Sequence, residues 1–492
     1  MLPISSAAPA EDLKRTAIRG GATYLATRLL VQVFQWASTL IVARLLLPSD
    51  FGVMAAAMVL ISVADLLSDA GLSRSLVHKP LIGKSDVAQV FTFSVVFAAS
   101  LYLLLWIGAP VLAARFGHAD SSEFMRAIGV LILMTPFQSV SMALLERNMR
   151  FDKVSILHAA AAFMQACTVL LLAFDGYGYW ALGIAALASK AVMIVVAYTE
   201  TRWPIKLEIP GKEGFEHLRY GISISLAAVV WLINWNADTA VIAALLGSTA
   251  LGYYTIAFQL ISIPVQKLTA TINQVAFPTY CKLRDEPARA QDWIIRLMAL
   301  LFTVSAPTLI GLALVADDVF PWVLGEAWRP AVLPYQLLSL VGTVMVVASC
   351  LPPWFNALGR PEINLKYNLV SSLVLPPAFA IGGYLGGLPG VCLAWLLAFP
   401  LLFTSLVSLT KSVSGISISR IAIALMPAAI AAVAMSAAVI GAGHSLTVEG
   451  DVLRLGLQVV FGAIVYIGTV AVLGRETLIP SLRAVLTNLA KR

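Results

Sequence analysis

TLIVARLLLPSDFGVMAAAMVLIS (39–62) and TAVIAALLGSTALGYYTIAFQLIS (239–262) lie on each other without a gap at an offset of 200 residues, with nine identities in 24 positions. The matches include Thr39/Thr239, Leu45/Leu245, Gly52/Gly252 and Leu60-Ile61-Ser62 on Leu260-Ile261-Ser262, and upstream Arg19/Arg219 and Gly21/Gly221 fall in the same register. Apolar helices match by chance more easily than soluble ones, but this register also aligns two polar helix starts and two short turns. The chain therefore reads as two related halves.

Around this repeat, 60% of the 492 residues are apolar and 12% charged, against about 45–50% and about 25% in soluble chains, and the mean hydropathy is +0.88. No soluble core hides that much apolar surface, which excludes a cytosolic enzyme, a secreted disulfide scaffold and a disordered chain. Apolar runs of about 20 residues predict fourteen membrane helices, from 22–44 and 51–68 through 220–246 and 250–272 to 421–441 and 455–474. The expected fold is all-α and integral to the membrane. It comprises a six-helix bundle over 1–199, a cytoplasmic linker over 200–219, a second six-helix bundle over 220–410, a helix pair over 411–474, and an amphipathic tail over 475–492. Six helices separate the two copies of the repeat, so both halves start on the same side and form a parallel pseudo-twofold pair about an axis along the membrane normal.

The net charge of +7 and pI near 9.2 suggest nucleic acid until the charges are placed. With the amino terminus inside, 24 of the 33 Lys and Arg fall in cytoplasmic loops and five in outer ones. That bias puts both termini in the cytoplasm and accounts for the pI without any nucleic acid. Cys167, Cys281, Cys350 and Cys392 are too far apart to suggest a disulfide or a metal site. Gly83-Lys84-Ser85 lacks the earlier glycine of a phosphate-binding loop, because His78 stands there. The five histidines are scattered singly, as loop or satisfied buried residues. No cofactor is expected.

The informative residues are polar ones at membrane depth, where a charge costs about 2.5–3.5 kcal/mol on insertion scales. Arg28, Gln32, Gln35 and Thr39 are spaced four, three and four, so they project from one helical face. Asp65, Asp69, Lys190, Asn234, Asn236, Asp238 and Lys267 are placed on other spans or at their ends. Such groups belong in a protein interior or a watered cavity. Arg28, Gln32, Gln35, Lys190, Asn234 and Lys267 together suit an anionic group such as a phosphate, Arg offering a fork and Lys a point charge. The bland alternatives are that Arg28 pairs with Asp65 and that Lys267 snorkels. Asp65, Asp69 and Asp238 are candidates for a coupling proton or sodium ion. Trp36, Trp231, Trp235, Tyr253 and Tyr254 suit sugar faces or membrane interfaces.

The run Ala43-Arg44-Leu45-Leu46-Leu47-Pro48-Ser49-Asp50-Phe51-Gly52, with Asp69-Ala70-Gly71-Leu72-Ser73, resembles the opening of bacterial Wzx-type polysaccharide flippases of the WzxC-like branch. Leu145 to Phe151, Gly178-Tyr179-Trp180-Ala181-Leu182, Val275-Ala276-Phe277-Pro278, Gly325 to Ala331 and Gly359-Arg360-Pro361 follow in order, so the resemblance covers about residues 15–410. It implies a fourteen-helix member of the multidrug/oligosaccharidyl-lipid/polysaccharide exporter superfamily. Such a protein moves undecaprenyl-diphosphate-linked oligosaccharide across the bacterial inner membrane by alternating access, alongside polysaccharide polymerase and export machinery. The head group sits in a cationic cavity while the lipid tail stays in the bilayer. The chain departs from that pattern in having few acidic residues near mid-span, which leaves the coupling ion open. The competing readings are a cation-coupled multidrug exporter and a non-transporting membrane enzyme or scaffold.

Overall fold

The computed structural model of the chain describes Gln32, residues 34–115, 121–209 and 211–409, Lys411, and residues 415–445 and 451–474. The described residues are helical almost throughout. A helix over 34–45 (α1) leads into α2 (Pro48–Asp69), where Pro48 sets the first helical φ and Asp50 sits on the positive end of the helix dipole. Then come α3 (Leu72–His78), α4 (Lys84–Arg115), α5 (Ser121–Ile128), α6 (Val130–Arg147), α7 (Phe151–Phe174), α8 (Tyr179–Thr201) and α9 (Lys212–Lys282). They are followed by α10 (Pro287–Leu314), α11 (Ala316–Leu324), a 3-10 turn (Glu326–Ala331), α12 (Val332–Ala348), α13 (Leu351–Ala357), α14 (Glu362–Leu409), α15 (Ile418–Ser445) and α16 (Asp451–Leu473).

Eleven helical stretches among the described residues are long and apolar enough to cross a membrane. Two of them each accommodate two of the expected spans. The helical geometry of α9 breaks at Gly247 (φ 81°), and that of α14 at Gly386–Gly387. The spans expose large apolar side chains, as α4 does with Leu103, Leu104, Ile107 and Val111, a surface suited to lipid. The expected first span reaches back to residue 22, outside the described residues.

The helices gather into two compact units. One draws its described residues from Met1–Leu47, Ala64–Pro110 and Asp120–Ser225, the other from Pro48–Val63, Val111–Ala119 and Leu226–Arg492. In the first, α7 packs along α8, and Gly183 of α8 makes room for the Phe124 ring. The expected linker over 200–219 is shorter than its polarity suggests, because α8 runs to Thr201 and α9 starts at Lys212. The extended stretch between them is strapped down. Trp203 is buried, with its indole N–H on Ser141 Oγ at 3.0 Å and its ring edge-on to Phe91. The amides of Glu208 and Gly211 donate to Thr92 Oγ1 and Gln89 Oε1. Beyond it, the imidazole of His217 lies between Ser75 Oγ (2.7 Å) and Asp86 Oδ1 (3.0 Å), with Lys79 Nζ also on Asp86. His217 is thus the satisfied buried histidine of the two expected types.

In the second unit, α10 packs against α12 and α15, around a core in which Tyr280, Met298, Cys350, Trp354 and Phe355 are fully enclosed. Here the repeat acquires a physical meaning. A Cβ on Gly52 would collide with the carbonyl of Ser248, and a Cβ on Gly252 with the carbonyl of Pro48. Exchanging each residue for its repeat partner, 52 for 252 and 248 for 48, turns one contact into the other, the reciprocity required where two related elements cross on a twofold axis. A second echo lies at the starts of α8 and of the second arm of α14, where Gly178 (φ 54°, ψ −136°) and Gly387 (φ 58°, ψ −143°) share one left-handed geometry at an offset of 209.

Candidate functional site

Four of the residues singled out in the sequence sit in two polar clusters, one in each unit. In the first, the ammonium of Lys190 on α8 meets Asp65 Oδ2 of α2 at 3.0 Å and donates to Thr135 Oγ1 of α6 at 2.7 Å. The Thr135 hydroxyl also bonds Asp65, so three helices converge on one closed ring of hydrogen bonds. The Lys190 side chain is 11% exposed and that of Asp65 32%, leaving the carboxylate as the open end of the pair. Each charge offsets the desolvation of the other, and Thr135 supplies the extra hydrogen bond that such a pair needs.

In the second cluster, Asp238 on the first arm of α9 is 2% exposed. Its carboxylate accepts from the Tyr254 hydroxyl on the second arm, from the indole N–H of Trp395 on α14 (3.2 Å) and from the Thr239 amide (2.6 Å). Trp395 also donates to the Tyr254 oxygen at 3.0 Å. All of these donors are neutral, and among the described residues Asp238 forms no ion pair.

In front of this cluster, and within the second unit, lies an open cavity of about 340 Å³. Helix α2 lines it with Ala55, Met58, Val59 and Ser62; the second arm of α9 adds Tyr254, Thr255, Phe258 and Gln259, and the first arm Asn236 and Thr239. Three repeat pairs are present in its lining: Ala55/Thr255, Met58/Phe258 and Val59/Gln259. The cavity therefore sits on the pseudo-twofold axis. Its volume is in the range of small-molecule sites, and none of its lining side chains among the described residues carries a charge.

The other expected site residues fall elsewhere. Arg28 lies outside the described residues. Gln32 and Gln35 are half-buried on the first helical stretch, and the Gln35 carbonyl takes the Thr39 hydroxyl. Asn234 is half-buried with its Oδ1 unbonded, while its neighbour Asn236 reaches the cavity. Lys267 is exposed. Asp69 accepts from the amide and hydroxyl of Ser73 (3.4 and 2.8 Å), closing the turn into α3. Thr255, Phe258 and Gln259 escaped the sequence reading, which weighed charges first. A signal was available, because Gln259 and Thr255 are four apart on one face and replace Val59 and Ala55 of the other copy.

A family model described as "Polysaccharide biosynthesis protein" matches residues 41–333. The chain is 25% identical over 367 residues to the lipopolysaccharide biosynthesis protein WzxC of Escherichia coli, covering 73% of each. It is 24% identical over 348 residues to the succinoglycan biosynthesis transport protein ExoT of Rhizobium meliloti, covering 71% of this chain and 70% of that one. Among solved structures, its fold is similar to that of the lipid II flippase MurJ in an inward closed conformation. The TM-score is 0.75 at 14% identity, with 92% of this chain and 99% of that one covered.

Proposed function

The chain belongs to the polysaccharide biosynthesis protein family, and on that premise we propose that it is a flippase for undecaprenyl-diphosphate-linked oligosaccharide repeat units, a transporter that makes no bond. The observation that carries this reading is the reciprocal crossing of α2 and α9 with a polar, uncharged cavity on its axis. Two related halves built about one axis can expose a shared cavity to either side in turn. The task is to take a multiply charged head group through roughly 30 Å of hydrocarbon, and a hydrated cavity removes most of that barrier.

In this scheme the bundles over 1–199 and 220–410 rock about the axis, the pair over 411–474 flanks them, and the tail over 475–492 lies on the inner surface. Both termini face the cytoplasm of a bacterial inner membrane. The diphosphate enters from the cytoplasmic leaflet, and Arg28, Gln32 and Gln35 meet it from one helical face, with Asn234 and Lys267 as further donors. Lys190 answers by exchange. A diphosphate offers more acceptor oxygens than the single Asp65 carboxylate, so it competes for the ammonium. Freed from Lys190, Asp65 is a carboxylate at membrane depth that must take up a proton or sodium ion to stay there. Anion binding and cation uptake are then linked, and the linkage is reciprocal. Asp238, surrounded by neutral donors, is the stronger resident site for the coupling cation, and Asp69, engaged in its turn, the weakest.

Leaflet-resolved lipid analysis of cells depleted of the protein tests the reading. Lipid-linked oligosaccharide is expected to collect on the cytoplasmic leaflet, and neither Arg28→Ala nor Lys190→Gln is expected to relieve it. Complete repeat units appearing outside but unpolymerised would overturn the proposal in favour of an enzyme or scaffold.

A further inference from the structure

Symmetry makes the cavity on the axis informative, because its two walls share a backbone and differ in chemistry. The α2 wall presents Ala55, Met58 and Val59; at the matching positions the α9 wall presents Thr255, Phe258 and Gln259. A purely structural crossing asks the same of both copies. At these three positions one copy is apolar, its nearby Ser62 hydroxyl being turned onto the Val59 carbonyl, while the other carries an amide and a hydroxyl into an open space at membrane depth, where unbonded polar groups are costly. Gln259 is exposed and Thr255 half-buried. Thr255 already donates to the Leu251 carbonyl at 2.7 Å, which leaves its oxygen to accept, and Gln259 offers donors and acceptors at once.

Between them stands Phe258. Its ring stacks on Tyr254 (5.7 Å between centroids, 21°) and meets Trp235 edge-on (6.3 Å, 76°), so it is held in place at the cavity wall. A fixed aromatic face flanked by neutral groups that both donate and accept matches a pyranose ring, which has an apolar C–H face and an equator of hydroxyls. A phosphate would call for cations, and an acidic sugar for at least one. Among the described residues the lining has none.

We infer that this cavity is a subsite for an uncharged sugar of the transported oligosaccharide, with Gln259 and Thr255 bonding its hydroxyls and Phe258 packing on its ring. Selectivity among repeat units is then written on the α9 wall, while the α2 wall supplies shape. The inference rests on the proposed flippase function and adds to it the sugar class and the residues that read it.

The repeat supplies conservative test substitutions: Thr255→Ala and Gln259→Val place on α9 what α2 already carries. Full-length protein in lipid nanodiscs is titrated with two probes, sugar-free undecaprenyl diphosphate and the glycan-bearing lipid pool extracted from depleted cells. Each substitution is expected to weaken binding of the glycan-bearing lipid about five- to tenfold, the scale of one hydrogen bond. Affinity for the sugar-free lipid should stay within about twofold, which also reports an intact fold. Equal loss for both probes, or no loss for either, overturns the subsite. Failure of the unsubstituted protein to bind either lipid overturns the flippase reading itself, and the subsite with it.

Discussion

Asp65 and Asp238 are carboxylates at membrane depth, one in each compact unit, and the protein satisfies them in opposite ways. Asp65 is matched by a cation, with Lys190 and Thr135 closing a ring around it. Among the described residues Asp238 is matched in hydrogen bonds alone, from a phenol, an indole, an amide and a hydroxyl. Hydrogen bonds spread a negative charge but do not cancel it, so the two carboxylates differ in how their charge is met among the described residues. Among the described residues, the first cluster holds both charges of a pair, and the second holds one carboxylate among neutral donors. The two carboxylates, at unrelated positions of the repeat, are thus satisfied by different chemistry.

The largest test of that contrast removes the cation. Lys190→Ala is expected to cost about 3 kcal/mol by leaving Asp65 unpaired, read as a lowered melting midpoint of the purified protein. Lys190→Met combined with Asp65→Leu should recover most of the loss, since a neutral pair of similar bulk carries no desolvation penalty. A double variant no better than the single one would mean that packing, not charge, holds these helices.

Next in size is the backbone the two halves share. Gly52→Ala and Gly252→Ala each push a methyl group into a facing carbonyl, and each should cost about 2 kcal/mol. The reciprocity of the crossing requires the two losses to be equal within error in the same melting assay, and a clear inequality would break the pseudo-twofold account. Smaller in energy but sharper in meaning is Asp238→Asn, which keeps the volume and removes the charge. Transport should fall about tenfold, equivalent to about 1.4 kcal/mol, with melting little changed. Full transport by that variant would reduce Asp238 to a structural role. Tyr254→Phe, which deletes one donor to Asp238, is expected to cost about 1 kcal/mol of stability.

Much of the fold was legible in the sequence. The apolar runs marked the crossings, and the 200-residue register aligned Gly52 with Gly252 before any contact was known. The reading also located Asp65, Lys190 and Asp238 as costly residues at depth. It did not join them. Asp65 and Lys190 are 125 residues apart, and Asp238 and Trp395 are 157 apart. No local periodicity reports pairings of that range, and Trp395 looks like any aromatic in an apolar run. The uncharged wall of Thr255, Phe258 and Gln259 was passed over because charge is a louder signal than amide or hydroxyl in a hydrophobic helix. The burial of Trp203 and His217 in the polar stretch over 200–219 was not legible either, because it depends on the surface of α4 that receives them.

By itself the sequence determined that this chain lives in a bilayer as two related sets of helices, because hydrocarbon tolerates only backbone that satisfies its own hydrogen bonds and long apolar runs announce that solution locally. Only the tertiary structure decided which buried charge has an ionic partner among the described residues, and where α2 and α9 leave open space. Those outcomes depend on distances between side chains far apart in the chain, set when helices close on one another at positions such as Gly52 and Gly252.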